Sequence, residues 1–448
     1  MEVFTILHKL KKHPLIFGTF LLTGAGLISR ILGFFYRIFL SRTIGANGLG
    51  LYQLIFPVFG LCLAISASGI QTAISRFVAS EKNKKIYLFS GLFISVGLSF
   101  LFTVLIYTLA PWIASNVLKE PRTTELLRLM TFAILPAAIH SCFNGYYYGQ
   151  KNSKIPSICQ VIEQIARVVG TYIIYQVLLS QDLPLEPIHA VWGLVISELA
   201  GLLVSLTAYF GSKSDDWATH PLSAFRSLGI TDTFAPLLGM ALPLTLNHVL
   251  MTLSHSIEHL LIPQQLVAYG YTPDDALGHF GILTGMALSV VFFPAVITNS
   301  LSVLLLPRIS EAKASGNNKQ VLETIKGALC CGIALGSLCT FLFLLSGEWI
   351  GVHIFDNVLA GFYVQILSIL CPFMYTVSLL SSIINGLGYA NWTLGCNLTG
   401  CAIRIAAILF FVPTYGMYAY IVAMIVSYVA TMGELLWIIS LKCKTILY

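Results

Sequence analysis

The sequence is a succession of twelve long apolar blocks with short polar joins, and that pattern confines the fold more than any other feature. The blocks fall at about 14–40, 49–78, 86–114, 126–147, 155–180, 188–211, 234–262, 278–307, 322–346, 358–387, 391–412 and 415–441 of the 448 residues. Each reaches the roughly 20 residues that carry a helix across the hydrocarbon core of a bilayer. The blocks are continuous rather than alternating, which excludes a transmembrane barrel. In lipid the backbone polar groups must then be satisfied within helices. Only 10% of residues are charged and 57% are hydrophobic, against about 25% charged in an ordinary soluble domain. So few charges cannot solvate the surface of a soluble enzyme, a nucleic-acid-binding module or a disordered scaffold. The expected fold class is all-α: a polytopic membrane protein with about twelve transmembrane helices.

The net charge of +6 raises the question of acidic partners, and the positions of the 25 Lys and Arg residues answer most of it. With twelve spans, both termini lie on one side. Seventeen basic residues fall on that side, among them Lys9, Lys11, Lys12, Lys82, Lys84, Lys85, Lys213, Arg226, Arg308, Lys442 and Lys444. Only four, Arg42, Lys119, Arg122 and Arg128, fall on the other. Positive charge marks cytoplasmic loops, so both termini are expected in the cytoplasm and the chain in the plasma membrane. The first apolar block contains Arg30 and Arg37 and has no small-residue cleavage site, so it reads as a retained span rather than a signal peptide. Four arginines remain inside apolar blocks: Arg30, Arg37, Arg167 and Arg404. Nine of the ten cysteines lie in apolar blocks without metal-ligand spacing and read as small fillers. There is no GxxxxGK[ST] loop. No cofactor, metal site or nucleic-acid partner is expected.

The two halves of the chain repeat. Gly48-Leu-Gly-Leu-Tyr52 corresponds to Leu277-Gly-His-Phe-Gly281, and Ser75-Arg76 to Pro307-Arg308. Trp112-Ile113 corresponds to Trp349-Ile350, Asn144-Gly145 to Asn385-Gly386, and Arg167 to Arg404. The order is shared and the offsets run from 229 to 241. A duplication of six spans gives two lobes of the same orientation about an axis along the membrane normal. The expected organisation is an N-terminal six-helix lobe at 1–212, a cytoplasmic linker at 213–233 and a C-terminal six-helix lobe at 234–448. A substrate path is expected in a central cavity between the lobes.

Polar residues inside a bilayer are costly, about 2.5–3.5 kcal/mol for a charge at mid-span even on insertion scales, so they mark cavities or partners. The first block carries Thr23, Gly26, Arg30, Gly33 and Arg37 on one helical stripe. Snorkelling to the headgroups is the plain alternative for Arg37. The fifth carries Gln160, Glu163, Gln164 and Arg167. Glu163 and Arg167 stand four apart with the acid first, the favoured geometry for a local ion pair. The plain reading is a self-neutralising pair; the functional one is a cavity wall whose pair opens for a substrate. The seventh carries Asn247, Met251, His255 and Glu258 at helical spacing, a cavity-lining stripe that can hold a proton. Glu258 stands near the outer boundary, where water is its plain explanation. Asn299 and Pro294 in the eighth block indicate a kinked or cavity-facing helix. Glu198 is expected to bond a neighbouring helix.

The run GTFLLTGAGLISRILGFFYRIFLSRTIGANGLGLYQLIFP, with SGIQTAISRFVASE, HSIEHLLIPQQL and GILTGMALSVVFFPAVITNSLSVLLLPRISEAKASGN, resembles the stage V sporulation protein B family. These are polysaccharide-transporter members of the multidrug/oligosaccharidyl-lipid/polysaccharide flippase superfamily, similar to the lipid II flippase MurJ. The resemblance covers nearly the whole chain. It implies two six-helix lobes around a central cavity, alternating access, and transfer of an undecaprenyl-linked sugar across the membrane in spore cortex or envelope synthesis. In Ser29-Arg30-Ile-Leu-Gly33-Phe34 it puts Arg30 on a substrate-binding arginine. The next arginine of that pattern, followed there by an acid, falls on Tyr36-Arg37, so Arg37 takes its role one position later. The arginine of the second span is absent, Phe59-Gly-Leu-Cys-Leu63 standing there, so the resemblance implies the class of substrate rather than lipid II itself.

Two functions follow from these residues. The first is a flippase for a lipid-linked anionic sugar, with Arg30, Arg37, Glu163, Arg167, Asn247, His255, Glu258 and Arg404 as the candidate substrate-binding set. Guanidinium groups suit a diphosphate through charge-assisted hydrogen bonds. The second is a cation-coupled multidrug exporter, which needs a buried carboxylate for H⁺, Na⁺ or a cationic drug. Glu163 and Glu258 are its candidates.

Overall fold

The computed structural model describes residues 14–80, 84–211 and 230–447. Lys9, Lys11, Lys12, Lys82 and, from the expected linker, Lys213, Asp215, Asp216 and Arg226 lie outside the described residues. Within the described residues the chain is helical, with no strand. The helices are α1 (Pro14–Leu54), α2 (Phe56–Leu63), α3 (Gly69–Ser80), α4 (Lys84–Trp112), α5 (Thr124–Gly149), α6 (Lys154–Leu179), α7 (Pro187–Gly211) and α8 (Ile230–Tyr269). They continue as α9 (Pro273–Gly281), α10 (Leu288–Phe292), α11 (Ala295–Ala314), α12 (Asn318–Trp349), α13 (Val358–Ser368), α14 (Cys371–Gly386), α15 (Ala390–Phe410), α16 (Val412–Tyr415) and α17 (Met417–Leu447).

Among the described residues ten helical runs are long and apolar enough to cross a bilayer, and the pair α13–α14, bent by 56°, makes up to eleven. One run, Leu21–Ser80, is 60 residues long. At 1.5 Å per residue it measures about 90 Å, some three times the hydrocarbon thickness, so it holds two crossings. The break is at Gly45, whose φ of 69° and ψ of −176° interrupt α1. That backbone region is open essentially to glycine alone. Each of the twelve apolar blocks thus has a helical counterpart. The eighth is broken at Phe293–Pro294, between α10 and α11, where the kink is expected.

The chain divides into two compact units. The described residues within 1–33 and 54–256 form the N-terminal unit, and those within 34–53 and 257–448 the C-terminal unit. These limits differ from the expected lobes because the first part of α8 packs with the N-terminal helices. Ser256 Oγ donates to the Pro57 carbonyl at 3.3 Å, and the Phe93 and Phe234 rings meet edge to face at 5.9 Å. Both units carry exposed apolar side chains around a core that is itself mostly apolar. On α4, Ser90, Ser95 and Ser99 are buried while Phe93 is 73% and Phe100 61% exposed. Exposed aromatic and aliphatic side chains on nearly every helix form a surface suited to lipid rather than water.

The duplication is visible in the hydrogen bonds, at an offset of 237. In the N-terminal unit Thr103 Oγ1 donates to the Thr131 carbonyl (3.3 Å), and in the C-terminal unit Thr340 Oγ1 to that of Ser368 (2.7 Å). α4 and α12 both end in a π-helical turn, Ile113–Val117 and Ile350–Ile354. After each turn the chain returns by the same bond, Glu120 N to the Ala114 carbonyl and Asn357 N to that of Gly351. Lys119 and Asp356 adopt the same left-handed conformation, φ 54° and 53°. Within the C-terminal unit the segments matched at 48–52 and 277–281 touch. Gly281 lies against the Ala46 carbonyl and Gly50, and Gly50 lies against the Leu277 carbonyl. A Cβ on either glycine would enter backbone, so these small residues are what allow the approach. Ala46 and Gly50 precede Leu277 and Gly281 by the same interval, so the two contacts are images of one another.

Candidate functional site

The polar centre of the N-terminal unit is built by three helices. α5 supplies His140, α6 supplies Cys159, Glu163 and Arg167, and α7 supplies Ser197 and Glu198. His140 Nε2 lies 2.9 Å from Glu198 Oε2, and His140 Nδ1 lies 3.5 Å from Glu163 Oε1. The Cys159 thiol donates to Glu163 Oε1 at 3.0 Å. Arg167 donates to Ser197 Oγ from Nε (3.2 Å) and Nη2 (3.0 Å) and stands 3.6 Å from Glu198 Oε1. Room for the Glu163 carboxylate comes from Gly201 on α7, where a Cβ would collide with it. Glu163 and Arg167 therefore do not form the local ion pair that their spacing suggests. Each turns to a neighbouring helix, because an i,i+4 pair contributes only about 0.2–0.5 kcal/mol and the buried cross-helix partners are already fixed in place.

Arg30 is exposed, and among the described residues it makes no hydrogen bond or ion pair. It lies on the helical stripe of Gly26 and Gly33, the face of α1 that looks at Gln160 Nε2 and Gln164 Oε1 of α6. Ser29, beside it, donates to the Gln160 carbonyl at 3.3 Å. Arg37 belongs to the C-terminal unit, where its Nη1 donates to Ser289 Oγ at 2.7 Å.

The C-terminal unit has its own polar centre. Arg404 Nε donates to Glu258 Oε1 (2.7 Å) and Nη2 to Oε2 (3.1 Å), and the Tyr420 hydroxyl donates to Glu258 Oε1 (2.6 Å). Arg404 Nη1 also donates to Ser427 Oγ at 3.1 Å. Arg404 thus repeats Arg167, each bonded to a serine of the following long helix, but the acids do not repeat. Gly400 stands 237 residues after Glu163, and the counterion comes from α8 instead. On α8 the ligand atoms of His255 and Glu258 lie within 4.8 Å of each other and of Cys401 Sγ. Glu258 is 3% exposed, so burial with Arg404, and not water at the outer boundary, accounts for it. Asn247 and His255 are exposed and belong to the N-terminal unit. Sequence reasoning passed over His140, Ser197, Tyr420 and Ser427. A lone histidine in an apolar block was the available signal for His140; the hydroxyls carried none.

The model of the family described as "Polysaccharide biosynthesis protein" matches residues 15–270, more than half of the chain. The chain belongs to this family. Among curated relatives, it is 28% identical over 405 residues to stage V sporulation protein B of Bacillus subtilis (strain 168), covering 89% of this chain and 77% of that protein. It is 26% identical over 373 residues to the lipid II flippase MurJ of the same organism, covering 76% and 68%. Among solved structures, an inward-facing multidrug resistance MATE family transporter of the MOP superfamily superposes with a TM-score of 0.73 at 15% identity, over 94% of this chain and 95% of that one. MurJ in an inward closed conformation gives 0.70 at 15% identity, over 94% and 87%. This family member is therefore a multi-pass membrane protein with a fold like that of the MATE transporter and MurJ.

Proposed function

We propose that the protein is an alternating-access flippase that moves an undecaprenyl-linked anionic oligosaccharide or peptidoglycan precursor from the cytoplasmic to the outer leaflet, in spore cortex or envelope polysaccharide synthesis. The observation that carries this reading is Arg30, a cation without a hydrogen-bond or ion-pair partner among the described residues, on a helix face shared with two glycines and opposed by glutamines. Planar guanidinium donors match the oxygens of a diphosphate. In this reading the headgroup enters from the cytoplasmic side, the tail stays in the bilayer, and alternating access exposes the site outward. Both termini are cytoplasmic. A membrane potential negative inside favours outward movement of an anion by about 2.3 kcal/mol per charge per 100 mV; H⁺ or Na⁺ is the alternative drive. The similarity to MurJ, a lipid II flippase, supports transport rather than catalysis. The test is flipping of a fluorescent polyprenyl-diphosphate sugar in proteoliposomes. A charge-assisted hydrogen bond contributes about 1.5–3 kcal/mol, so Arg30→Ala is expected to slow flipping roughly 10–100-fold and Arg30→Lys less. Undiminished flipping by Arg30→Ala would remove Arg30 from the mechanism.

The second reading, a cation-coupled multidrug exporter, is favoured by Glu163 and Glu198 converging on His140. Resistance profiling of an overexpressing strain separates the two: broad resistance to cationic drugs supports the exporter.

A further inference from the structure

We propose that His140, Cys159 and Glu163 form a binding site for one divalent ion of the zinc class, with Glu198 orienting the histidine. Three donors of different type, imidazole nitrogen, thiol sulfur and carboxylate oxygen, converge with their ligand atoms all within 4.8 Å of one another. His140 and Cys159 are buried, and the Glu163 side chain keeps 18% exposure, which leaves one side for an ion to approach.

The histidine is held as metal-bound histidines are held. Its Nε2 faces the Glu198 carboxylate at 2.9 Å, and Glu198 is in turn within 3.6 Å of Arg167, which is fixed by two bonds to Ser197. A carboxylate behind an imidazole sets the tautomer and raises the basicity of the opposite nitrogen. That nitrogen, Nδ1, then presents its lone pair to Glu163 Oε1 at 3.5 Å. A neutral Nδ1 lone pair beside a carboxylate is repulsive, and either a proton on Nδ1 or a metal ion between the two groups relieves it. Asn144 Nδ2, 3.4 Å from Nδ1, is a weak substitute, and Asn144 Oδ1 is buried with no hydrogen-bond partner among the described residues.

Charge points the same way. Glu163 and Glu198 against Arg167 leave one negative charge in the interior of a membrane unit. A proton on His140 would cancel it. So would a divalent ion that displaces the Cys159 proton to water, since thiolate and Glu163 carboxylate together balance the ion and Glu198 balances Arg167. The spacing suits the ion. Bonds of about 2.0–2.3 Å in a tetrahedron give ligand separations near 3.4 Å for nitrogen and oxygen and 3.6 Å for sulfur and oxygen. The corresponding separations are 3.5 Å and 3.0 Å, so the sulfur withdraws by about half an ångström. The mixture of thiolate, imidazole and carboxylate selects zinc-class ions over Na⁺, Mg²⁺ or Ca²⁺.

The experiment is titration of the full chain, purified in detergent and stripped with chelator, first with Co²⁺ as the optical probe and then with Zn²⁺. One Co²⁺ per chain, a thiolate-to-cobalt charge-transfer band and displacement by Zn²⁺ are expected. Cys159→Ala removes the band. Glu198→Gln keeps it and weakens Zn²⁺ binding roughly 10–100-fold. If Cys159→Ala does not fold, Cys159→Ser preserves the hydrogen bond to Glu163 and must lose the band equally. Absence of stoichiometric Co²⁺ binding by the unaltered chain, or a band that survives loss of Cys159, overturns the proposal; the first outcome assigns the cation to a proton on His140. Flipping is not the readout, so failure here leaves the transport reading standing.

Discussion

Replacing Glu258 by alanine should be among the most destabilising single changes in the C-terminal unit. Glu258 accepts two hydrogen bonds from Arg404 and one from the Tyr420 hydroxyl, and it is 3% exposed. In Glu258→Ala the guanidinium keeps only neutral partners, Ser427 Oγ at 3.1 Å and Cys401 Sγ at 3.2 Å. A buried charge stripped of its counterion costs about 3–5 kcal/mol, and the Tyr420 hydroxyl loses its acceptor besides. Arg404→Ala takes the guanidinium from a buried carboxylate that keeps the Tyr420 hydroxyl, and should cost somewhat less. The double alanine variant should then cost clearly less than the sum of the two, because neither charge is left alone. An apolar replacement of similar volume, Glu258→Leu with Arg404→Met, should lie near the unaltered stability or above it. Equilibrium unfolding in mixed detergent micelles measures all four variants. Additive single substitutions would refute the reasoning, since additivity means that the two side chains do not neutralise each other in the folded unit.

Three further outcomes are expected. Gly281→Val drives a side chain into the Ala46 carbonyl and Gly50, so unfolding should occur at clearly lower detergent denaturant than for the unaltered chain, by about 1–3 kcal/mol. Gly45→Ala forces an L side chain into the conformation at φ 69°, ψ −176°, and the same assay should register a loss of about 1–3 kcal/mol. Reporter fusions at the two ends should both be active in the cytoplasm, as the charge bias of the loops requires; an active periplasmic or external reporter at either end contradicts that orientation.

Much of the fold was legible because helix insertion depends on local sums of hydropathy along the chain. Each of the twelve apolar blocks has a helical counterpart, and the break of the eighth block falls at Pro294. The repeat was legible too, since Trp112 and Trp349, and Arg167 and Arg404, keep their spacing where the hydrogen bonds repeat at 237. The site was legible only in part. Spacing on one helix singled out Glu163 and Arg167 but paired them with each other. It put Glu258 on one stripe with His255, and their ligand atoms do lie within 4.8 Å of each other, but it did not name Arg404 as the partner of Glu258.

By itself, then, the sequence determined that this chain lies in a membrane, that it is helical and duplicated, and that four arginines stand within apolar blocks. Those are consequences of composition and periodicity, which act within about twenty residues. Only the tertiary structure decided which acid answers which arginine. Arg404 meets Glu258 across 146 residues, and Glu163 is drawn to His140 by the space that Gly201 leaves on another helix. The physical reason is that a buried charge takes the partner that packing brings within hydrogen-bond reach. In a helical bundle that partner is set by which faces meet, and no spacing along one helix encodes it.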